Sequence, residues 1–197
     1  MVDPVPLVLA SGSPRRAELL RRANLQNVSI VVAPVDCDET PHADEAPVAY
    51  ARRIADAKLA AALARDPDAR PVLAADTVVW HDGGEPIGKP SSRHEAEAMV
   101  RRLVEGPPHN VTTAWALARR DGTLVAEHET TRVFMRPLSR AALDAYLDTE
   151  EWIDKAGGYG IQGHAAAFVT RVEGSYTNVV GLPLAQVVAA IEEALRP

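Results

Sequence analysis

The sequence predicts an α/β protein, a mixed sheet flanked by helices in one compact unit. Three observations carry that prediction. Short apolar runs such as Leu7–Ala10 and Val72–Val79 alternate with stretches whose apolar residues recur every three or four positions. The second half opens with two strand-like segments, near 111–119 and 123–135, joined by the hairpin signal Asp121-Gly122. No repeat, low-complexity tract or linker divides the 197 residues, a length that one domain can bury around a single core. If the chain forms two lobes, Gly106-Pro107-Pro108 marks their boundary.

Each element has its own signal. Residues 6–10 read as a buried strand. Ser13 then serves as helix N-cap and Pro14 as the first helical residue, where a missing N–H costs nothing. That helix spans 14–23, with Ala17, Leu19, Leu20 and Ala23 inward. A second apolar stretch, 28–33, runs into the acidic loop Asp36-Cys37-Asp38-Glu39. Helical spacing over 45–65 aligns Val48, Ala51, Ala55, Leu59, Ala62 and Leu63. Residues 72–80 form a strand with Asp76 in its middle. Ser92 and Glu95 make a capping box for a helix whose inner face is Ala96, Met99, Val100 and Leu103. Ser139 caps a short helix through Leu147, and the glycine-rich stretch 157–163 leads to a strand over 166–172. Residues 174–178 read as a turn. Pro183 opens the last helix, with Leu184, Val188, Ile191 and Leu195 inward.

Composition narrows the function. A net charge of −6 argues against broad nucleic-acid or membrane-surface binding and leaves a polyanionic ligand only a local cationic cluster or a metal ion. Cys37 is the only cysteine, so no intrachain disulfide forms. No signal-peptide pattern opens the chain, and no apolar run approaches the ~20 residues that span a bilayer. The expectation is a cytoplasmic enzyme or ligand-binding protein. Aromatics at 5% and abundant alanine imply a core of small and branched aliphatic side chains.

Several charged residues stand where packing alone would not put them. Arg15 and Arg16 occupy the first turn of the first helix, the positive end of its dipole, where each costs roughly 0.3–1 kcal/mol at an exposed site. Either both side chains reach solvent or carboxylates elsewhere, or an anion lies between them and the free N–H groups. Asp76 interrupts an apolar strand, as a turn-forming residue or as a general base or metal ligand with a tuned pKa. Lys58 lies on or at the edge of a buried helix face, snorkelling or serving as a positive group for phosphate. Lys89 sits between Gly88 and Pro90, which fix the backbone so that the lysine could hold a point charge near phosphate. The 36–39 loop offers oxygen ligands for a hard cation such as Mg²⁺, or is merely a solvated turn. In the glycine-rich segment, Gln162 can both donate to and accept from a base edge.

In chain order, the segments Leu9-Ala10-Ser11-Gly12-Ser13-Pro14-Arg15-Arg16, Asp38-Glu39, Lys58, Ala75-Asp76-Thr77-Val78-Val79, Gly88-Lys89-Pro90, His109-x-Val111-x-Thr113, Lys155-Ala156-Gly157-Gly158-Tyr159-Gly160-Ile161-Gln162-Gly163 and Gly181-Leu182-Pro183-Leu184 resemble the Maf family of nucleotide pyrophosphatases. The resemblance implies an elongated fold like that of inosine triphosphate pyrophosphatases, with two lobes and a central cleft. It implies hydrolysis of a nucleoside triphosphate between the α- and β-phosphates, with Mg²⁺ or Mn²⁺ required. The family's proton acceptor maps onto Asp76, and further site residues map onto Ser11, Arg15, Arg16, Glu39, Lys58 and Lys89. Within that frame Glu39 helps hold the metal, while Lys58, Lys89, Arg15 and Arg16 neutralise the phosphates. A homodimer is admitted by the resemblance alone.

The family's specificity positions correspond to Arg15, Thr77 and Gln162, which match the branch acting on dTTP, UTP and related pyrimidine nucleotides. The branch associated with 7-methyl-GTP tends to carry an aromatic, Gln and Glu there. A nucleotide-sensing division regulator with little turnover is the alternative of a different class. Two departures stand out: Pro107-Pro108 where the family is often polar or basic, and Ala74 where it usually has Gly.

Overall fold

The computed structural model describes residues 3–68 and 71–195. Its strands are β1 (Val5–Leu9), β2 (Val28–Val32), β3 (Val72–Trp80), β4 (His109–Ala118), β5 (Leu124–Met135) and β6 (Val169–Glu173). They form a sheet in the order β2-β1-β3-β4-β5-β6. The helices are α1 (Pro14–Arg22), α2 (Pro47–Arg65), α3 (Arg93–Glu105), α4 (Arg140–Leu147), α5 (Tyr176–Val180) and α6 (Leu184–Ala194). Pairing is parallel from β2 through β1 to β3 and antiparallel from β3 onward. The parallel half needs crossovers, which contain α1 and α2, while β4 and β5 join through the expected hairpin.

The middle strands are covered on both faces, which is why neither shows polar alternation. β4 is buried along its whole length, and β3 everywhere except Thr77 and Trp80. One face of the sheet carries the main core, where Leu7, Leu9, Leu73, Trp115 and Leu117 meet α1, α3 and α6. The other receives α2 through small residues. Ala62 and Leu59 share a cluster with Ala74, Ala116 and Ala118, and Ala51 and Ala55 share one with Val78 and Ala114. Alanines on both partners let the helix lie close to the strands, which brings Lys58 against β3.

Five local expectations change. Ser13 occupies the N-cap position of α1, but its side chain makes no capping bond; its own N–H donates to Ser11 Oγ at 3.3 Å. Ser92 does cap α3, yet the returning Glu95 carboxylate accepts from Ser91 N–H and O–H rather than from Ser92. β6 begins at Val169 because His164–Ala167 forms a 3-10 turn; its alanines lack the branching that favours a strand. The segment read as a turn contains α5, capped by Ser175 and ended by Gly181 at φ 130°. In α6 the buried positions are Val187, Ala190 and Ile191, with Val188 half-buried. Adjacent valines made the rotation of that helix ambiguous by one residue.

Candidate active site

The bend from β1 into α1 delivers Ser11, Arg15 and Arg16, and the middle of β3 delivers Asp76 and Thr77. α2 contributes Lys58, and the loop preceding it contributes Glu39. Lys89 follows Ile87, whose N–H donates to Val79 O at 2.7 Å and ties that loop to β3. The glycine-rich segment brings Gln162. All nine candidate residues line one cleft of about 730 Å³.

At its floor three charges meet. Lys58 Nζ lies 2.8 Å from Asp76 Oδ1 and 2.7 Å from Glu39 Oε1. Lys58 and Asp76 are buried, at 9% and 8% exposure, whereas Glu39 is exposed. The buried lysine is therefore a paired one, not a snorkelling one. Among the described residues nothing hydrogen-bonds Asp76 Oδ2, so that oxygen is left for a ligand or water in the cleft. The Glu39 carboxyl is held below its usual range. Partial burial pushes it up, and the hydrogen bond and charge of Lys58, with Lys89 and Arg16, outweigh that.

Arg16 follows neither expectation for its helix-start position. It is buried at 7% exposure and donates to three neutral acceptors: Gly181 O from Nε at 2.8 Å, Ser11 Oγ from Nη1 at 2.9 Å and Thr77 Oγ1 from Nη2 at 2.9 Å. Burial lowers its pKa, opposed first by the Asp76 charge. Three of its five N–H groups brace the protein rather than face a ligand. Arg15 and Lys89, by contrast, make no hydrogen bond or ion pair among the described residues and border the cleft. Burial lowers the Arg15 pKa, with Asp154 opposing.

The glycine-rich segment is a packed wall, not a loose loop. Gly157 and Gly158 have φ of 71° and 70°, and a Cβ on Gly157 would stand 3.1 Å from Leu103 Cδ1. Gly157 N–H donates to Gly88 O at 3.0 Å, which links this wall to the Lys89 loop. Beyond it, Glu151 grips the turn that follows Gln162. His164 N–H donates to Glu151 Oε2 at 2.8 Å, and His164 Nδ1 lies 2.7 Å from Oε1. Glu151, Asp154 and the half-buried Lys155 also border the cleft; sequence reasoning did not single out the two acids. Their signal was position alone, just ahead of a glycine run.

The donor set suits a hard cation only in part. Asp36 and Asp38 are exposed and do not border the cleft, and Asp38 Oδ1 instead accepts from Thr40 N–H at 2.9 Å. Among the described residues no group of three or more His, Cys, Asp or Glu could hold a metal. Of the acids that the sequence pointed to, Glu39 and Asp76 remain, two carboxylates bordering one cleft. That fits an ion such as Mg²⁺, which takes one or two carboxylates and completes its shell with water and phosphate oxygens.

The family model described as Maf-like protein matches residues 6–194. The chain belongs to the Maf family. A dTTP/UTP pyrophosphatase from Myxococcus xanthus (strain DK1622) is 47% identical, over 99% of this chain and 95% of that protein. Another protein of that name, from Symbiobacterium thermophilum, is 48% identical over 95% of this chain and 93% of its own. Among solved structures, a HAM1 protein from Coxiella burnetii superposes with a TM-score of 0.54 at 16% identity, covering 96% of this chain and 99% of that one. At that identity the likeness shows the fold, in agreement with the pyrophosphatase-like architecture that the Maf resemblance implied. No helix among the described residues is long and apolar enough to cross a membrane.

Proposed function

We propose that this Maf-family chain hydrolyses dTTP, UTP and related pyrimidine triphosphates between the α- and β-phosphates, releasing the monophosphate and pyrophosphate. The observation that carries the proposal is the Asp76–Lys58–Glu39 cluster at the floor of the cleft. The names of the two bacterial relatives support the substrate class.

The chemistry follows from which atoms are engaged. Lys58 fixes the Asp76 carboxylate through Oδ1, which leaves Oδ2 to accept a proton from water as its oxygen bonds to the α-phosphorus. Pyrophosphate leaves as the α–β bridging bond breaks. Arg15 and Lys89, free of protein partners among the described residues, receive the triphosphate charge, and Arg16 holds Ser11 and Thr77 in place. Glu39 would help hold a divalent cation, which would supply charge neutralisation along the phosphate tail. Gln162 offers a donor and an acceptor to a uracil or thymine edge, a match that a carboxylate lacks. Such a site works by positioning and by charge stabilisation. The nucleotide pool it would draw on is cytoplasmic.

The test is pyrophosphate release with Mg²⁺ across UTP, dTTP, CTP, GTP and 7-methyl-GTP, for wild type, Asp76→Ala and Asp76→Asn. Turnover of UTP and dTTP that both variants lose supports the proposal. Preference for 7-methyl-GTP overturns the substrate class, and tight binding without turnover overturns the reaction.

A further inference from the structure

Two hydroxyls in the cleft have opposite hydrogen-bonding polarity, and the protein fixes both. Ser11 Oγ accepts from Arg16 Nη1 at 2.9 Å and from Ser13 N–H at 3.3 Å. Both of its lone pairs are used, so its O–H is left to donate. Thr77 Oγ1 also accepts from Arg16, through Nη2 at 2.9 Å, and lies 2.9 Å from Thr113 Oγ1. Thr113 Oγ1 lies 3.1 Å from the Asn178 carbonyl oxygen, which can only accept. Both contacts are satisfied together in one direction only: Thr113 donates to Asn178, and Thr77 donates to Thr113. Thr77 then has a single lone pair left for the cleft, and no proton.

Asn178 holds the chain of hydroxyls in that direction. It is fully buried; Nδ2 donates to Val111 O and Thr131 Oγ1, both at 2.9 Å, and Oδ1 accepts from Thr113 N–H at 3.2 Å. Thr113, also fully buried, cannot turn to water for another partner. The same short helix ends at Gly181, whose carbonyl accepts from Arg16 Nε at 2.8 Å. One buried assembly therefore sets both hydroxyls.

We infer that Thr113 and Asn178 are positioning residues for substrate choice, because they make Thr77 an acceptor for a nucleoside N–H or O–H while Ser11 donates to a phosphate oxygen. The inference rests on the pyrimidine triphosphate reading. dTTP and UTP share two such donors, the imino N3–H of the base and the 3′-hydroxyl; cytosine has no N3–H.

The test compares UTP with 3-methyl-UTP, which lacks the imino donor, and with 3′-deoxy-UTP, which lacks the sugar donor. Wild type is expected to lose at least about tenfold in kcat/KM with one of the two, chiefly through KM, since a site built around a hydrogen bond rejects the analogue that lacks it. Which analogue suffers identifies the donor. In Thr113→Val the Thr77 hydroxyl is free to rotate, so the same penalty should shrink by about threefold or more, whereas Thr113→Ser, which keeps the acceptor, should retain it. Equal acceptance of both analogues by wild type overturns the inference without any variant. An unchanged penalty in folded Thr113→Val overturns the role of Thr113. Wild type that releases no pyrophosphate from UTP or dTTP overturns the function itself, an outcome separate from the other two.

Discussion

Replacing Lys58 by Met tests whether the floor of the cleft is an interdependent charge cluster. The ammonium contacts Asp76 at 2.8 Å and Glu39 at 2.7 Å, with the Lys58 and Asp76 side chains each 11% exposed and that of Glu39 41% exposed. Removing one partner of a buried pair costs about 3–5 kcal/mol, because the other charge stays desolvated. The Glu39 arm adds little, since solvent screens it. Water in the cleft reaches the stranded Asp76, so the low end, about 3 kcal/mol, is expected. With a urea m-value of about 2 kcal/mol/M, the midpoint should fall by about 1.5 M. Adding Asp76→Asn to Lys58→Met removes the stranded charge and should recover about 2 kcal/mol, a coupling that a double-mutant cycle reads directly. A Lys58→Met protein as stable as wild type at pH 8, or a double variant no more stable than the single one, would refute the reasoning.

Other regions yield further expectations. His109 is fully buried with Nε2 2.8 Å from Tyr159 O–H; burial first, then the neighbouring His81, pushes its pKa down from 6.5 to about 3. The unfolded chain then binds the proton first, so stability falls with pH from 6.5 to about 3, by about 1.4 kcal/mol per pH unit from this group. His109→Gln should flatten that acid limb in denaturation curves taken at successive pH values. Gly163→Ala would drive a Cβ into the Glu151 carboxylate, which gives way because it ends a flexible side chain. Hydrogen exchange at 160–164 should then accelerate and KM should rise, while stability changes by less than about 1 kcal/mol. Ala116→Leu overfills the contact between α2 and the sheet and should cost about 1–3 kcal/mol in thermal unfolding. Removing divalent cations with EDTA should stop pyrophosphate release, and added Mg²⁺ should restore it.

The parts of the site that could be read from sequence were charges in apolar surroundings. Asp76 within Val72–Val79, Lys58 beside Ala55, Leu59 and Ala62, and two arginines at a helix start each conflict with local packing or dipole preference, and all border the same cleft. The long strands and helices were legible because their apolar runs, or their three- and four-residue apolar spacings, extend over many residues. What escaped notice was short or relational. α5 has five residues, too few to show a period, and its cap lies in Ser175 and Gly181 rather than in any apolar pattern. That Lys58 bridges two carboxylates, or that Arg16 meets only neutral oxygens, depends on distances between segments far apart in sequence. Asn178 looked like an ordinary turn residue because its partners lie on β4 and β5.

Single-turnover hydrolysis of UTP by Asp76→Asn tests the central claim most directly. The substitution preserves shape and removes the proton acceptor, so nucleotide binding should persist while the chemical step slows by about 100-fold or more. A variant that binds UTP and cleaves it at the wild-type rate would contradict the role assigned to Asp76.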